Sequence, residues 1–463
     1  MLRQTITCAA ALTLGATAYA ADRNSEHAQK TFDIYETIIE METAKGLGNV
    51  LPMAEYLAGE LTDAGFPEED IEVWPVAGAA TLIARYRGNG TSGQKQILFL
   101  AHMDVVEAYA DDWERPPFEL TRDDEFFYAR GTIDNKFGVA HLTSTFIRLK
   151  KEGFVPNRDL VIVFSGDEES VMDTTRALAA RPDLQDSAFA LNSDGGGGLI
   201  APSGEPLLYF ANTSEKTYAT WEITARNPGG HSSTPRLDNA IYDLADAIKA
   251  IQAYRFPVRW NDMTLESLAV EGQIRSDEVG DALRRFANNP EDEEAADRLF
   301  REPGLVGQTR TTCVVTMLRA GHAENALPQS ATATVNCRIF PGVSGDEVLT
   351  KLKELVNNDE IEFVETYPVE SSDPSMLTED VRAAISEAVH ARYPGMRIVP
   401  SMMAGTTDGL HFRRAGVPTF GVGGVFMKEE DAFAHGLNER VPVDAFYDAL
   451  DHWSTIIKEL AGD

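Results

Sequence analysis

The segment Arg130-Gly-Thr-Ile-Asp-Asn-Lys-Phe-Gly138 puts one carboxylate, Asp134, between an extended apolar run and a helical one. Phe126-Phe-Tyr-Ala leads into it, and apolar residues recur at helical spacing from 136 to about 151. Taken alone, Asp134 reads as a helix N-cap. It also suits a carboxylate shared by two metal ions, a role that requires ligands on both sides.

Candidates for those ligands fall at the ends of predicted strands. Residues 96–102, Gln-Ile-Leu-Phe-Leu-Ala-His, form a buried apolar run ending in His102 and Asp104. Residues 159–164 form another, followed by Ser165-Gly-Asp-Glu168-Glu169, and 189–192 lead into Ser193-Asp194. Helical patterns at 25–43, 50–61 and 136–151 and extended runs at 71–76 and 81–86 complete an α/β alternation. In such sheets, sites form beyond the carboxyl ends of the strands. His102, Asp134, Glu169 and Asp194, with His435 from a returning segment, supply two imidazoles and three carboxylates. That donor set suits zinc, and also manganese or cobalt. Asp104 stands where its carboxylate can orient the His102 ring. Each residue also has a plainer reading: a polar loop histidine, solvated charge at Glu168-Glu169, or a loop start at Asp194 before four glycines. That glycine run lacks the lysine of a phosphate loop. His141, His322, His390, His411 and His452 receive no metal role.

Beyond residue 213 the pattern changes. An alternating strand at 216–226, a helix at 239–254, strands at 311–320 and 330–340, a helix at 346–356 and a strand at 361–367 spell β-α-β-β-α-β. Residues 255–308 interrupt this order and read as charged and irregular, with helical patches at 277–286 and 291–299. The first pattern then resumes with a helix at 379–393, strands at 397–402 and 419–422, and a final helix at 443–460. The organisation predicted is a leader at 1–20, a discontinuous first domain at 21–212 and 371–463, and a second domain at 213–370 carrying an extra insertion at 255–308. At 463 residues, two domains are also what chain length favours.

The formal net charge of −32 excludes a nucleic-acid partner, since phosphate binding needs a basic surface. Arg3, the uncharged run 5–17 and Ala18-Tyr19-Ala20 fit a secretory leader cleaved near Ala20, giving a secreted or periplasmic protein. The run is too short to span a bilayer, and no other stretch approaches spanning length. Cys313 and Cys337 fall nearly opposite each other if 311–320 and 330–340 form a hairpin. A disulfide and two buried thiols both remain open.

The ordered strings AHMDVV, RGTIDNKFG, SGDEES, LNSD, GGHSSTP, NALPQSATATVNCRIFPG, AGTTDG and AHGLNE resemble the dizinc exopeptidase and amidohydrolase family of glutamate carboxypeptidase, aminoacylase and succinyl-diaminopimelate desuccinylase. Trp113-Glu-Arg-Pro-Pro-Phe118 is similar to the carboxypeptidase S-like, N-acyl-amino-acid-processing branch. The resemblance implies a mixed-sheet α/β catalytic domain with an inserted α+β lid and dimerisation domain. It implies two zinc ions per chain, one held by His102 and Asp194, the other by Glu169 and His435, with Asp134 bridging. Glu168 then matches the general base and Asp104 the support of the first ligand. His231 matches an oxyanion-stabilising histidine that reaches a neighbouring subunit of a homodimer. Asn325, Arg338, Gly405, Thr406 and Thr407 match substrate-binding positions. The implied activity is hydrolysis of an amide bond beside a free carboxylate, in small peptides or N-acyl amino acids. A carnosinase-like dipeptidase is the alternative. A silent binding protein is disfavoured because every catalytic position is filled. Export argues against biosynthetic desuccinylation.

Overall fold

The computed structural model describes residues 22–462; the leader predicted at 1–20 lies outside the described residues. Its first layer is a ten-stranded mixed sheet. Three adjacent parallel strands form its centre: Leu160–Ser165, Gln96–His102 and Ser187–Asn192. All three are almost wholly buried, as strands covered on both faces must be, which explains their unbroken apolar sequences. Ile71–Val76 and Ala79–Tyr86 extend one side in antiparallel pairing. Thr419–Gly421, Pro206–Glu215, Gly197–Ile200 and Phe426–Lys428 extend the other, and Arg397–Met403 runs parallel to Pro206–Glu215.

The helix Lys136–Lys151 is buried along most of its length and packs with Glu26–Ile39 and the C-terminal helix His452–Ala461 over one face of this sheet. Phe99, Phe146 and Trp453 meet there edge to face. The predicted helix 443–460 is two helices, Val443–Asp448 and His452–Ala461, because the chain turns at Ala449 to Asp451.

A second sheet is wholly antiparallel, in the order Thr312–Ala320, Ser330–Ile339, Thr217–Arg226, Glu362–Tyr367. The helices Ala240–Ala253 and Gly345–Val356 cover one face, over a separate core that includes Trp221, Ile223 and Val335. The predicted β-α-β-β-α-β order is present. Cys313 lies directly opposite Cys337 and the two are joined as a disulfide.

Residues 255–308 hold helices at the two patches expected, and two more where irregular chain was expected. They contain the helices Asp262–Ile274, Glu278–Asn288, Glu293–Phe300 and Pro303–Thr309. Asn261, Asp277 and Asp292 cap the first three by accepting backbone N–H groups. Leu268, Leu283, Phe286 and Leu299 form a small core of their own. The high charge of this stretch is the solvated side of amphipathic helices. The glycine run after Asp194 leads into a strand, Gly197–Ile200, paired with Pro206–Glu215 on one side and Phe426–Lys428 on the other.

Candidate metal centre

The ends of the three central strands deliver His102, Glu168-Glu169 and Asp194 to one place, as strand geometry requires. Asp134 arrives from the loop before Lys136–Lys151, and His435 from the segment before Arg440–Pro442. His102 Nε2 lies 2.9 Å from one Asp134 oxygen, Oδ1, and His435 Nε2 lies 3.1 Å from the other, Oδ2. Asp194 Oδ2 is 3.8 Å from His102 Nε2, and Glu169 Oε1 is 2.8 Å from His435 Nε2. Asp134 therefore stands between a His102–Asp194 pair and a His435–Glu169 pair. Among the described residues, the ligand atoms of His102, Asp134 and Glu169 lie within 4.8 Å of one another, as do those of His102, Glu168 and Asp194.

The electrostatics calls for cations. Burial pushes the Glu168 and Asp194 carboxyls well above the usual range and raises Glu169; repulsion adds to each shift, from Asp194 and Glu169 on Glu168, and from Asp134 on both Asp194 and Glu169. Burial also acts to raise Asp134, but its hydrogen bonds with His102 and His435 outweigh that and hold it below the usual range. Hydrogen bonds to Asp134 and Glu169 push His435 up to about 10. Four carboxylates at such spacing are strongly under-neutralised by two imidazoles. Nitrogen and oxygen donors held this way fit a pair of divalent ions.

Asp104 does more than was expected of it. His102 Nδ1 sits 3.0 Å from the Asp104 backbone carbonyl and 3.6 Å from its carboxylate. The carboxylate instead accepts the N–H groups of Glu168 and Glu169, both at 3.0 Å. One residue thus sets the His102 ring and the turn that carries Glu168 and Glu169.

Several supporting residues lie within the quoted strings without a role that the sequence assigns them. Glu439 is fully buried, accepts the backbone N–H groups of Ile133 and Asp134 at 3.0 and 3.3 Å, and pairs with Arg130 at 2.6 Å. Arg130 also donates to the carbonyls of His435 and Gly436, each at 3.3 Å, and its guanidinium lies over the Trp113 ring. Trp113-Glu-Arg-Pro-Pro-Phe118 is therefore part of the scaffold: Pro117 accepts the Arg130 N–H at 2.8 Å. His435 itself is in left-handed backbone conformation, φ +62°, a cost its neighbours must hold in place. The Ser193 hydroxyl donates to Asn135 Oδ1 at 2.8 Å, tying the loops of Asp134 and Asp194 together. Gly138 is required beside them, since a Cβ there would lie 2.1 Å from Ser193 Oγ. Asp408 is buried, accepts the hydroxyls of Ser165 and Thr175, and is pushed up to about 6 by burial.

The Arg130–Glu439 pair gives a stability prediction. Replacing Arg130 by Met leaves a fully buried carboxylate unpaired, and breaking such a pair costs about 3–5 kcal/mol. Urea unfolding of Arg130→Met should show that loss; a change under about 1 kcal/mol would mean the pair is not what holds the Asp134 loop.

A cavity of about 350 Å³ joins the cluster to residues of the second sheet. Asp134, Glu168, Glu169, Asp194 and His435 line it, and so do Arg338, Gly405 and Thr406. The guanidinium of Arg338 lies 4.7 Å from the centre of the Tyr218 ring and its Nη1 donates to the Ala404 carbonyl at 3.4 Å. Tyr218, Tyr367, Met172, Met403 and Leu410 supply the walls.

Three predicted residues are elsewhere. Thr407 is turned inward: its hydroxyl donates to Glu215 at 2.6 Å and accepts from Asn192 at 3.1 Å, and its N–H donates to Glu215 at 3.0 Å. Its side chain serves the loop's foundation and does not line the cavity. His231 and Asn325 sit next to each other on the exposed surface of the chain, where Gly230–His231 pairs with Ala326–Leu327 and the Asn325 carbonyl accepts the Ser232 N–H at 3.0 Å. Neither lines the cavity.

Residues 98–459 match the model of peptidase family M20/M25/M40. The chain is 28% identical over 387 residues to the N-fatty-acyl-amino acid synthase/hydrolase PM20D1 of Bos taurus, covering 80% of this chain and 75% of that protein. It is 26% identical over 399 residues to the probable carboxypeptidase S-like 2 of Dictyostelium discoideum, covering 82% and 74%. Among solved structures, it is similar to the M20 family metallo-carboxypeptidase Sso-CP2 of Sulfolobus solfataricus. The TM-score is 0.71 at 20% identity, over 93% of this chain and 99% of that one.

Proposed function

The chain belongs to peptidase family M20/M25/M40 and is a metal-dependent hydrolase of amide bonds, and from that premise we propose that it cleaves N-acyl amino acids beside a free carboxylate. The observation that carries this reading is one cavity lined both by the carboxylate–imidazole cluster and by Arg338, Gly405 and Thr406. The planar fork of Arg338 suits a carboxylate. Two divalent ions held by His102, Asp194, Glu169, His435 and a bridging Asp134 would polarise the amide carbonyl and acidify a water. Zinc is the ion we favour, with manganese or cobalt as substitutes.

The chain's own groups do the rest. Glu168 is buried within the cluster, and its raised carboxyl pKa suits a group that takes a proton from the attacking water and passes it to the leaving amine nitrogen. Asp104 fixes the Glu168 backbone, which sets the direction of that transfer. Arg338 and the backbone of Gly405 and Thr406 would hold the substrate's carboxylate end.

N-acyl amino acids are favoured over dipeptides by charge. Of the residues lining the cavity, Glu370 is the one carboxylate outside the cluster, and Arg176 and Arg414 already face it, at 2.7 and 3.4 Å. A substrate's free ammonium would meet no uncompensated acceptor there, while an uncharged acyl group meets Tyr367, Met172 and Leu410. Mass-spectrometric comparison of N-acyl amino acids with dipeptides tests this: acyl substrates should have the higher kcat/KM, and a preference for dipeptides would favour the carnosinase-like alternative.

We further propose a homodimer. The edge strand Thr312–Ala320 exposes Val314, Met317 and Leu318 at 58, 62 and 65%. Unpaired apolar edges invite a partner strand. His231 and Asn325 would then serve a partner's site, acting as an oxyanion donor and a substrate contact, with the second sheet and its helices as lid. A monomer by sedimentation at micromolar concentration would remove this part of the account. The leader reading extends to export, for which a mature N-terminus near Ala21 in the periplasm or medium is the expected finding and an intact N-terminus the contrary one.

A further inference from the structure

Lys216 is the single residue between Pro206–Glu215, in the large sheet, and Thr217–Arg226, in the second. Its side chain is 1% exposed, yet it carries an ammonium. No carboxylate pairs with it among the hydrogen bonds and ion pairs of the described residues; Nζ donates to the Arg310 carbonyl at 2.9 Å. Burial, with a smaller effect from Arg338, pushes the ammonium down to about 7. A buried lysine of this kind costs stability, and a well-packed apolar side chain would serve better if packing were its task.

Its partner explains the position. Arg310 directly follows Pro303–Thr309, the last helix of the insertion, so the ammonium is tied to the residue at which that helix ends. A second tie runs from the same helix: Gln308 Nε2 donates to the Met402 carbonyl at 3.1 Å. Lys216's own backbone completes the link, its N–H donating to the Met403 carbonyl at 3.0 Å and its carbonyl accepting from Thr406 Oγ1 at 3.5 Å. The next carbonyl, Ala404, accepts from Arg338. The segment 402–406 is thus fastened by the insertion on one side and by Arg338 on the other.

We propose that Lys216 and Gln308 are positioning residues, through which the helical insertion holds the 402–406 loop and Arg338 in register to receive the substrate's carboxylate. This rests on the reading that Arg338, Gly405 and Thr406 bind that group. Neither residue lines the cavity, so each acts through the loop. Small misplacements of binding groups are costly in rate, so the effect should be large for residues that touch no substrate.

The test is steady-state kinetics of the full-length protein with an N-acyl amino acid and with its carboxamide, for wild type, Lys216→Met, Lys216→Arg and Gln308→Leu. For the acid, Lys216→Met and Gln308→Leu should each raise KM by about tenfold or more, with kcat within about twofold. Lys216→Arg should recover most of the loss. For the carboxamide, which wild type should already bind poorly, the variants should match wild type. Metal content and thermal unfolding should be unchanged, or unfolding raised in Lys216→Met. An unchanged KM for the acid in both apolar variants overturns the positioning role alone. Loss of kcat together with metal, or equal losses on acid and carboxamide, also overturns it by showing a general structural role. Wild-type enzyme that does not distinguish acid from carboxamide overturns both this inference and the carboxylate reading beneath it.

Discussion

Glu168→Gln is expected to lower kcat by about a hundred- to ten-thousand-fold while leaving metal content and KM near their wild-type values. Gln has the shape of Glu and keeps an acceptor oxygen, so packing around this buried position is preserved. The Asp104 carboxylate holds the backbone of residue 168, and that bond does not depend on the side chain. What the amide cannot do is take a proton. Burial and the nearby carboxylates of Asp194 and Glu169 push the Glu168 carboxyl up, while His102 opposes them. A carboxylate so raised is a stronger base than a free one, suited to take a proton in one step and give it up in the next. Stopped or steady-state assays of the purified variant, alongside metal analysis, separate the outcomes. Full turnover would remove Glu168 as the base, and loss of metal together with turnover would recast it as a ligand.

Asp134→Asn should weaken both metal ions together, raising each dissociation constant by about a hundredfold or more. That exceeds the roughly 10–100-fold that follows loss of a group merely supporting a ligand. The reason lies in its two oxygens: one faces His102 and the other faces His435. Asparagine retains a single acceptor and replaces the other oxygen with a donor, so one bridge position becomes repulsive to a cation. It also removes one negative charge from between the two sites. His102→Ala should chiefly weaken the ion shared with Asp194, because His435 and Glu169 stay 2.8 Å apart on the other side. Titration calorimetry with zinc resolves the two patterns. Two tightly held ions in Asp134→Asn would mean that the bridge is elsewhere.

The ligand candidates were legible because each follows a distinctive local pattern. His102, Glu168-Glu169 and Asp194 come directly after buried strands, and Asp134 sits at a strand-to-helix transition. Period and burial read from sequence place such residues on one edge of a sheet. Arg130 and Glu439 were not legible as a pair, because three hundred residues separate them and only the short sheet of Phe126–Tyr128 with Arg440–Pro442 brings them together. Thr407 lies in the same string as Gly405 and Thr406, and only the backbone's turn decides that its hydroxyl meets Glu215. Within 255–308, helix Glu278–Asn288 was legible from its apolar stripe of Val279, Leu283 and Phe286, whereas Asp262–Ile274 was not, because its apolar residues spread around the helix. Lys216 looked like the first residue of a strand. Its burial depends on the end of the insertion, where the helix Pro303–Thr309 lies outside the helical patches predicted there.

The central claim is a two-ion centre bridged by Asp134, and metal analysis of the purified wild-type protein tests it most directly. After reconstitution with zinc and removal of loose ions, the account predicts two ions per chain. Anomalous scattering should then find one between His102 and Asp194 and the other between Glu169 and His435. A protein that holds no metal, and gains no activity with zinc, manganese or cobalt, would contradict it.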